Sequence, residues 1–324
     1  MEKSPQKHLL GLPLISWGAI SIYVIITVLF FYYFPCWDGR LASIFDWLIG
    51  MWLADDGKTD MQHGFLIPIL CGYMTWHAAK KMKGIEIKPS LHGLWLILLG
   101  CIMVLATVRS QQPRLGAASF PILLLGCVWY YWGTKVALRC AFPFLFFWMG
   151  IHIPGLQQTT TGMQQFSAKA AHWGAGVFGI QTQLIGTTVC SVTGDWDSFN
   201  IAGGCSGIRS LMALLMISVA WAYLADHLAM WKRVILALSA LPLAVIGNAI
   251  RVTSIFICAE YIDPAFAGKA WHDWSGLLFF FPATLLGLTI LYSCLAGEIP
   301  LIKKRKVTFR KHLSTAPREK GDAQ

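Results

Sequence analysis

Eight mostly apolar stretches recur along this chain, each near the roughly 20 residues that an α-helix needs to cross a bilayer. They cover 12–34, 63–79, 91–108, 117–132, 136–153, 207–225, 234–258 and 274–296. The fourth and fifth are close enough to form a tight hairpin. Backbone polar groups inside a bilayer must be satisfied within the protein, and a helix does this by itself. The sequence therefore predicts an all-α, polytopic transmembrane helical bundle of about eight spans, with residues 1–300 as the membrane domain and 301–324 as a basic, disordered tail. The first stretch is followed by no small-residue cleavage site and is expected to be a retained helix.

Charge is scarce and its placement sets an orientation. Charged residues make up 13% of the 324 residues and hydrophobic ones 56%, against about 25% charge in a typical soluble domain. The net charge of +10 sits in short runs beside apolar stretches, such as Lys80-Lys81-Met82-Lys83 and Lys303-Lys304-Arg305-Lys306. That distribution suits topology determinants and anionic-lipid contacts, not a nucleic-acid partner. With eight spans, one side carries the N-terminus, the loops near 80–90, 133–139 and 226–233, and the tail. These segments hold 18 of the 26 basic residues. Arg40, Lys58, Arg109, Arg114, Lys169 and Lys269 lie on the other side. The positive-inside rule then predicts both termini in the cytoplasm of a plasma (inner) membrane protein.

Two long segments face outward in this arrangement, 35–62 and 154–204. The second is an outer region of mixed structure. Its first half, 158–178, reads as an amphipathic helix on the membrane surface. Its second half, 182–201, is rich in Thr, Val and Gly and reads as short strands or a hairpin. The nine cysteines include no CxxC pair, so no metal or cofactor site is signalled. Cys36 and Cys190 both fall in outward segments, and their pairing is left open.

Three segments carry residues suited to chemistry. Cys205, in Gly203-Gly204-Cys205-Ser206-Gly207, immediately precedes an apolar helix, where the helix dipole favours a thiolate. Arg251 follows Lys232-Arg233 by about 18 helical steps, roughly 27 Å, which puts it near the outer edge of a ~30 Å hydrocarbon core. His272, in Trp271-His272-Asp273-Trp274, precedes the last span at the same edge. A nucleophile, a cation for a developing oxyanion and a proton shuttle are the parts of acyl transfer. His63, Arg209, Asn248 and Asp273 are supporting candidates. Bland readings stand beside each: His63 as a packed interfacial histidine, Arg209 in a structural ion pair, Arg251 as a snorkelling arginine. Asn248 shares the helical face of Arg251. Asp273, adjacent to His272, is awkwardly placed to orient it. A transporter or channel with Arg251 in its pathway, or a non-catalytic assembly factor for surface polysaccharide or protein export, remains open from these residues alone.

Cys205-Ser206-Gly207-Ile208-Arg209-Ser210, Asn248-Ala249-Ile250-Arg251 and His272-Asp273-Trp274-Ser275-Gly276 together resemble the exosortase/archaeosortase family. His63-Gly64-Phe65-Leu66-Ile67-Pro68 and the stretch from Lys232-Arg233 to Leu241-Pro242-Leu243 agree with it, and the likeness covers roughly 60–296. The resemblance implies a membrane cysteine protease or transpeptidase of the outer face. Its partners would be secreted proteins ending in a sorting signal (short motif, membrane helix, basic tail), with membrane lipids around it and a lipid or amine as acceptor. It also implies Cys205 as nucleophile, Arg251 as oxyanion or orienting group and His272 as proton-transfer residue. The lead-in Ala202-Gly203-Gly204 and the polar stretch 181–201 depart from the family pattern.

Overall fold

The computed structural model describes residues 8–9, 12–34, 43–54, 61–82, 84–152, 156–194, 196, 198–200 and 208–297. Cys205, Cys36 and the basic tail lie outside them. The described chain is mainly helical. A short pairing of β1 (His8–Leu9) with β2 (Leu12–Pro13) leads into α1 (Leu14–Tyr33). Then come α2 (Ile44–Leu53), α3 (Leu66–Lys80), α4 (His92–Ser110), α5 (Pro113–Trp132) and α6 (Thr134–Leu145). The helix α7 (Leu156–Val177) is followed by β3 (Thr182–Ile185), β4 (Thr188–Ser191) and β5 (Phe199–Asn200), an antiparallel sheet in that order. The helices α8 (Ile208–Leu224), α9 (Met230–Leu238), α10 (Ala240–Tyr261) and a last continuous helical stretch, α11 (Pro264–Ala296), complete the molecule.

Every one of the eight expected segments contains helix, and the outer region has the expected helix-then-strands order. Four stretches among the described residues are long and apolar enough to cross a membrane: α4, α5, Met230–Tyr261 and α11. Gly18–Tyr33, Ile44–Leu53 and Ser210–Leu224 are shorter apolar helical stretches among the described residues. In α6, Pro143 and the 3-10 turn Phe146–Gly150 end the regular helix early, and α3 begins only after a 3-10 turn at Gln62–Phe65.

The α4–α5 hairpin shows how a membrane bundle packs without a hydrophobic drive between helices. Gln111 takes the left-handed conformation (φ 55°) and Pro113 opens α5, so the reversal takes two residues. Gly93 and Gly126 then let the two backbones touch. A Cβ at Gly93 would strike the Tyr130 amide, and one at Gly126 would lie 2.9 Å from the Ile97 nitrogen. Gly93→Leu should therefore force the helices apart, an overpacking cost of about 1–3 kcal/mol or more. Expected results are lower membrane abundance and a lower melting temperature in detergent, with Leu94→Ala, on the exposed face of α4, as the silent control.

The basic loops gather at one end. The Arg139 guanidinium donates to the Lys81 carbonyl (2.6 Å), and Lys81 pairs with Asp226, which also meets His77 Nε2 at 3.1 Å. Arg233 donates to the Ala222 and Tyr223 carbonyls and Lys232 to that of Leu295. Toward the opposite end a second core forms around the C-terminal half of α10. Ala168, Ala171 and Ala175 of α7 are fully buried there with Val252, Ile255, Phe256 and Ala259, and Trp196 stacks on Phe256. A Cβ on Gly174 would come 2.6 Å from Thr253 Oγ1. The helix expected on a lipid surface thus spends its small-residue face on α10, and its exposed face carries Phe166, Trp173 and Val177.

Candidate active site

The site is built on an antiparallel helical hairpin. Helix α10 ends at Tyr261, and Asp263 starts α11 two residues later. The Asp263 carboxylate accepts from the Ala265 and Phe266 amides, and Pro264 occupies the first turn, where its missing N–H costs nothing. This corrects the expected boundary. The last helix begins at Pro264, ten residues before the expected start of the span at 274, and His272 lies inside it rather than before it. An Asp-Pro pair is the sequence signal for that start.

Arg251 and His272 stand at matching heights on the two arms. Arg251 is ten residues before the end of α10, about 15 Å at 1.5 Å per residue, and His272 eight residues into α11, about 12 Å. They meet directly: Arg251 Nη2 donates to the His272 carbonyl at 2.7 Å. The segment carrying His272 is not a regular α-helix. Single π turns, Ala267–Trp271 and Gly276–Phe280, flank the four α-helical residues His272–Ser275. The His272 amide donates to Ala267 O and the Phe281 amide to Gly276 O, each five residues back. Such π turns inside helices are frequent at functional sites.

His272 Nδ1 lies 3.0 Å from Asp273 Oδ1. The expectation that adjacency makes this geometry awkward is therefore wrong. Successive helical side chains diverge by about 100°, yet the short carboxylate reaches back to the nearer ring nitrogen. With Asp273 accepting from Nδ1–H, Nε2 is the nitrogen left for chemistry. The histidine side chain is 23% exposed and the aspartate 64%, so the carboxylate is largely solvated.

The guanidinium lies against Gly276. A Cβ there would come 3.0 Å from Arg251 Cζ and 3.2 Å from Nε. Among the described residues, buried Arg251 Nε has no hydrogen-bond partner, and neither has Ser275 Oγ, one position before Gly276. Beside them a small crevice is lined by Ser210 of α8, by Gly247, Asn248 and Arg251 of α10, and by Gly276 and Thr284 of α11. It places the Arg251 cation in its wall, the chemistry an anion or oxyanion would need. Ser210, Gly276 and Thr284 carried no role in the sequence reading, because the face of each depends on how α8 and α11 meet α10.

The remaining candidates divide. Asn248 is buried in the crevice wall. Arg209 is the second residue of α8, and its side chain is outside the described set. His63 is buried on the Gln62–Phe65 turn, where Gly64 faces the Trp52 indole. Helix α8 touches both that turn and α10. Cys205 precedes the first residue of α8 by three positions.

The model of the transmembrane exosortase family matches residues 52–289. No curated protein and no solved structure matches the sequence. The matched region is well over half of the chain and takes in the His63 turn, Cys205, α8 and the whole Arg251–His272 hairpin, so the chain belongs to the transmembrane exosortase family.

Proposed function

We propose that the protein is a membrane-embedded cysteine protease or transpeptidase that removes C-terminal sorting signals from exported proteins at the outer face of the plasma membrane, with both termini in the cytoplasm. The observation that carries the reading is the 2.7 Å bond by which Arg251 grips the carbonyl of His272. It ties two of the three reacting groups into one unit next to a crevice beside a buried guanidinium nitrogen that has no partner among the described residues.

The reaction would run as an acyl transfer. Cys205 Sγ, as thiolate, attacks the scissile carbonyl carbon, and Arg251 stabilises the charge that collects on the oxygen. The C–N bond breaks as His272, an imidazolium beside the thiolate at the start, gives its Nε2 proton to the leaving amine, and a thioester remains on Cys205. An amine or a water then attacks the thioester and yields its proton to His272, and the thiolate leaves. Asn248 and Arg209 support the cation and the nucleophile, and Asp273 holds the histidine tautomer with Nε2 free.

The test compares membrane and surface proteomes of the source cell carrying wild-type protein or Cys205→Ala. Proteins that end in a membrane helix and a basic tail should lose the tail only with Cys205 present. Unchanged tail processing by a well-expressed Cys205→Ala protein would sink the reading and favour a transporter or an assembly factor.

A further inference from the structure

Arg251 is tied to the histidine segment twice, and only one tie uses its guanidinium. The Trp271 indole Nε1 donates to Ser254 Oγ at 3.0 Å, and Ser254 Oγ donates to the Arg251 carbonyl at 2.6 Å. With the Arg251–His272 bond these contacts close a loop across the hairpin. Side chain of 251 to backbone of 272 runs one way, and side chain of 271 through Ser254 to backbone of 251 runs the other. Trp271 is also fixed from its own arm, against Phe266 and Phe279 at ring distances of 6.3 and 5.4 Å.

This loop spans a stretch whose register is open to change. A π turn holds one residue more than an α turn, so if either π turn beside His272 relaxed, the residues beyond it would rotate by about 100°. The Arg251 bond to a backbone carbonyl cannot by itself select the side chain that faces the crevice. The Trp271–Ser254 bond can, because it reads a side chain adjacent to His272.

We propose that Ser254 and Trp271 are positioning residues for the reaction, forming a clasp that selects the helical register in which Arg251 and His272 face the same site. The proposal rests on the reading of Arg251 and His272 as catalytic partners. Neither clasp residue touches substrate in this scheme. Each acts through the residue beside it.

Two measurements on the full-length protein in lipid nanodiscs test the clasp. The first needs no substrate: amide hydrogen exchange across 267–280. Ser254→Ala should speed exchange there about tenfold or more, and Ser254→Thr, which keeps the hydroxyl, should restore it. Unchanged exchange in Ser254→Ala overturns the clasp whatever the protein catalyses. The second uses as substrate the C-terminal segment of a cellular protein whose tail loss depends on Cys205. Ser254→Ala and Trp271→Phe should each lower kcat by roughly 10- to 100-fold, since small misplacements of reacting groups cost that much. KM should stay within about twofold, and the double variant should be no slower than the slower single one, because both break the same connection. Ser254→Thr should recover most of kcat. Wild-type kcat in Ser254→Ala, or losses that add and follow only the amount of folded protein, would overturn the positioning role. If no tail loss depends on Cys205, it is the catalytic reading that fails, and the exchange result still decides the clasp.

Discussion

Arg251→Lys is expected to insert and fold and yet to process its substrate at least about a hundredfold more slowly than wild type. The substitution keeps the charge and loses the shape. A guanidinium offers five N–H donors in a rigid plane, so one can be committed to the His272 carbonyl while others face a second acceptor. In this site Nη2 is committed at 2.7 Å, and Nε is buried with no partner among the described residues. A lysine ammonium is a single point on a flexible stem. If it reaches the His272 carbonyl it leaves the crevice, and if it faces the crevice it releases the histidine arm. Removing one preorganised oxyanion donor typically costs 10²–10³ in rate, about 2.7–4 kcal/mol, and the lysine loses positioning of His272 as well. The check is the rate of tail loss from a Cys205-dependent substrate, per folded molecule, in Arg251→Lys and Arg251→Ala. Near-equal, strongly reduced rates are expected. A lysine variant within a few-fold of wild type would mean that charge alone suffices, and the snorkelling arginine would then be the better account.

Much of this site is legible in the sequence, and what is not has a physical cause. Arg251 stands out because a cation in an apolar span is costly, and His272 because a histidine beside acidic and aromatic residues stands out against an apolar background. Helical counting from Lys232-Arg233 puts Arg251 about 27 Å along the chain, and Arg251 does meet the arm that carries His272. The start of α11 is misread because apolarity begins at about 274 whereas helix begins at the Asp263-Pro264 cap. Hydropathy reports where lipid begins, and capping reports where helix begins. The π turns have no sequence signature at all. Apolar periodicity does not distinguish a five-residue turn from a four-residue one. The alanine face of α7 is visible as Ala168, Ala171 and Ala175, yet its partner is not, because a small-residue stripe fits any helix that comes close enough.

Gly276 gives the sharpest separation of function from fold. Its backbone is right-handed helical, φ −58° and ψ −48°, so no conformational need calls for glycine. Alanine at such a helical position usually stabilises by roughly 0.5–1 kcal/mol. Space is the reason for glycine here. A Cβ would lie 3.0 Å from Arg251 Cζ, 3.2 Å from Nε and 3.3 Å from Nη1, pressing on the whole guanidinium. The guanidinium must shift by a few tenths of an ångström for alanine and farther for valine, and a misplacement of about 1 Å can cost roughly 10²-fold in rate. Gly276→Ala should therefore process about tenfold more slowly with an equal or higher melting temperature, and Gly276→Val about a hundredfold more slowly. Gly287 supplies the control on the same helix. Its added Cβ would press at 3.1 Å on Leu243 Cδ2, with no arginine near it, so Gly287→Ala should leave processing unchanged. Opposite signs for stability and rate in Gly276→Ala would tie the loss to the position of the arginine. A wild-type rate there would show that the guanidinium does its work elsewhere, away from the arm that holds His272.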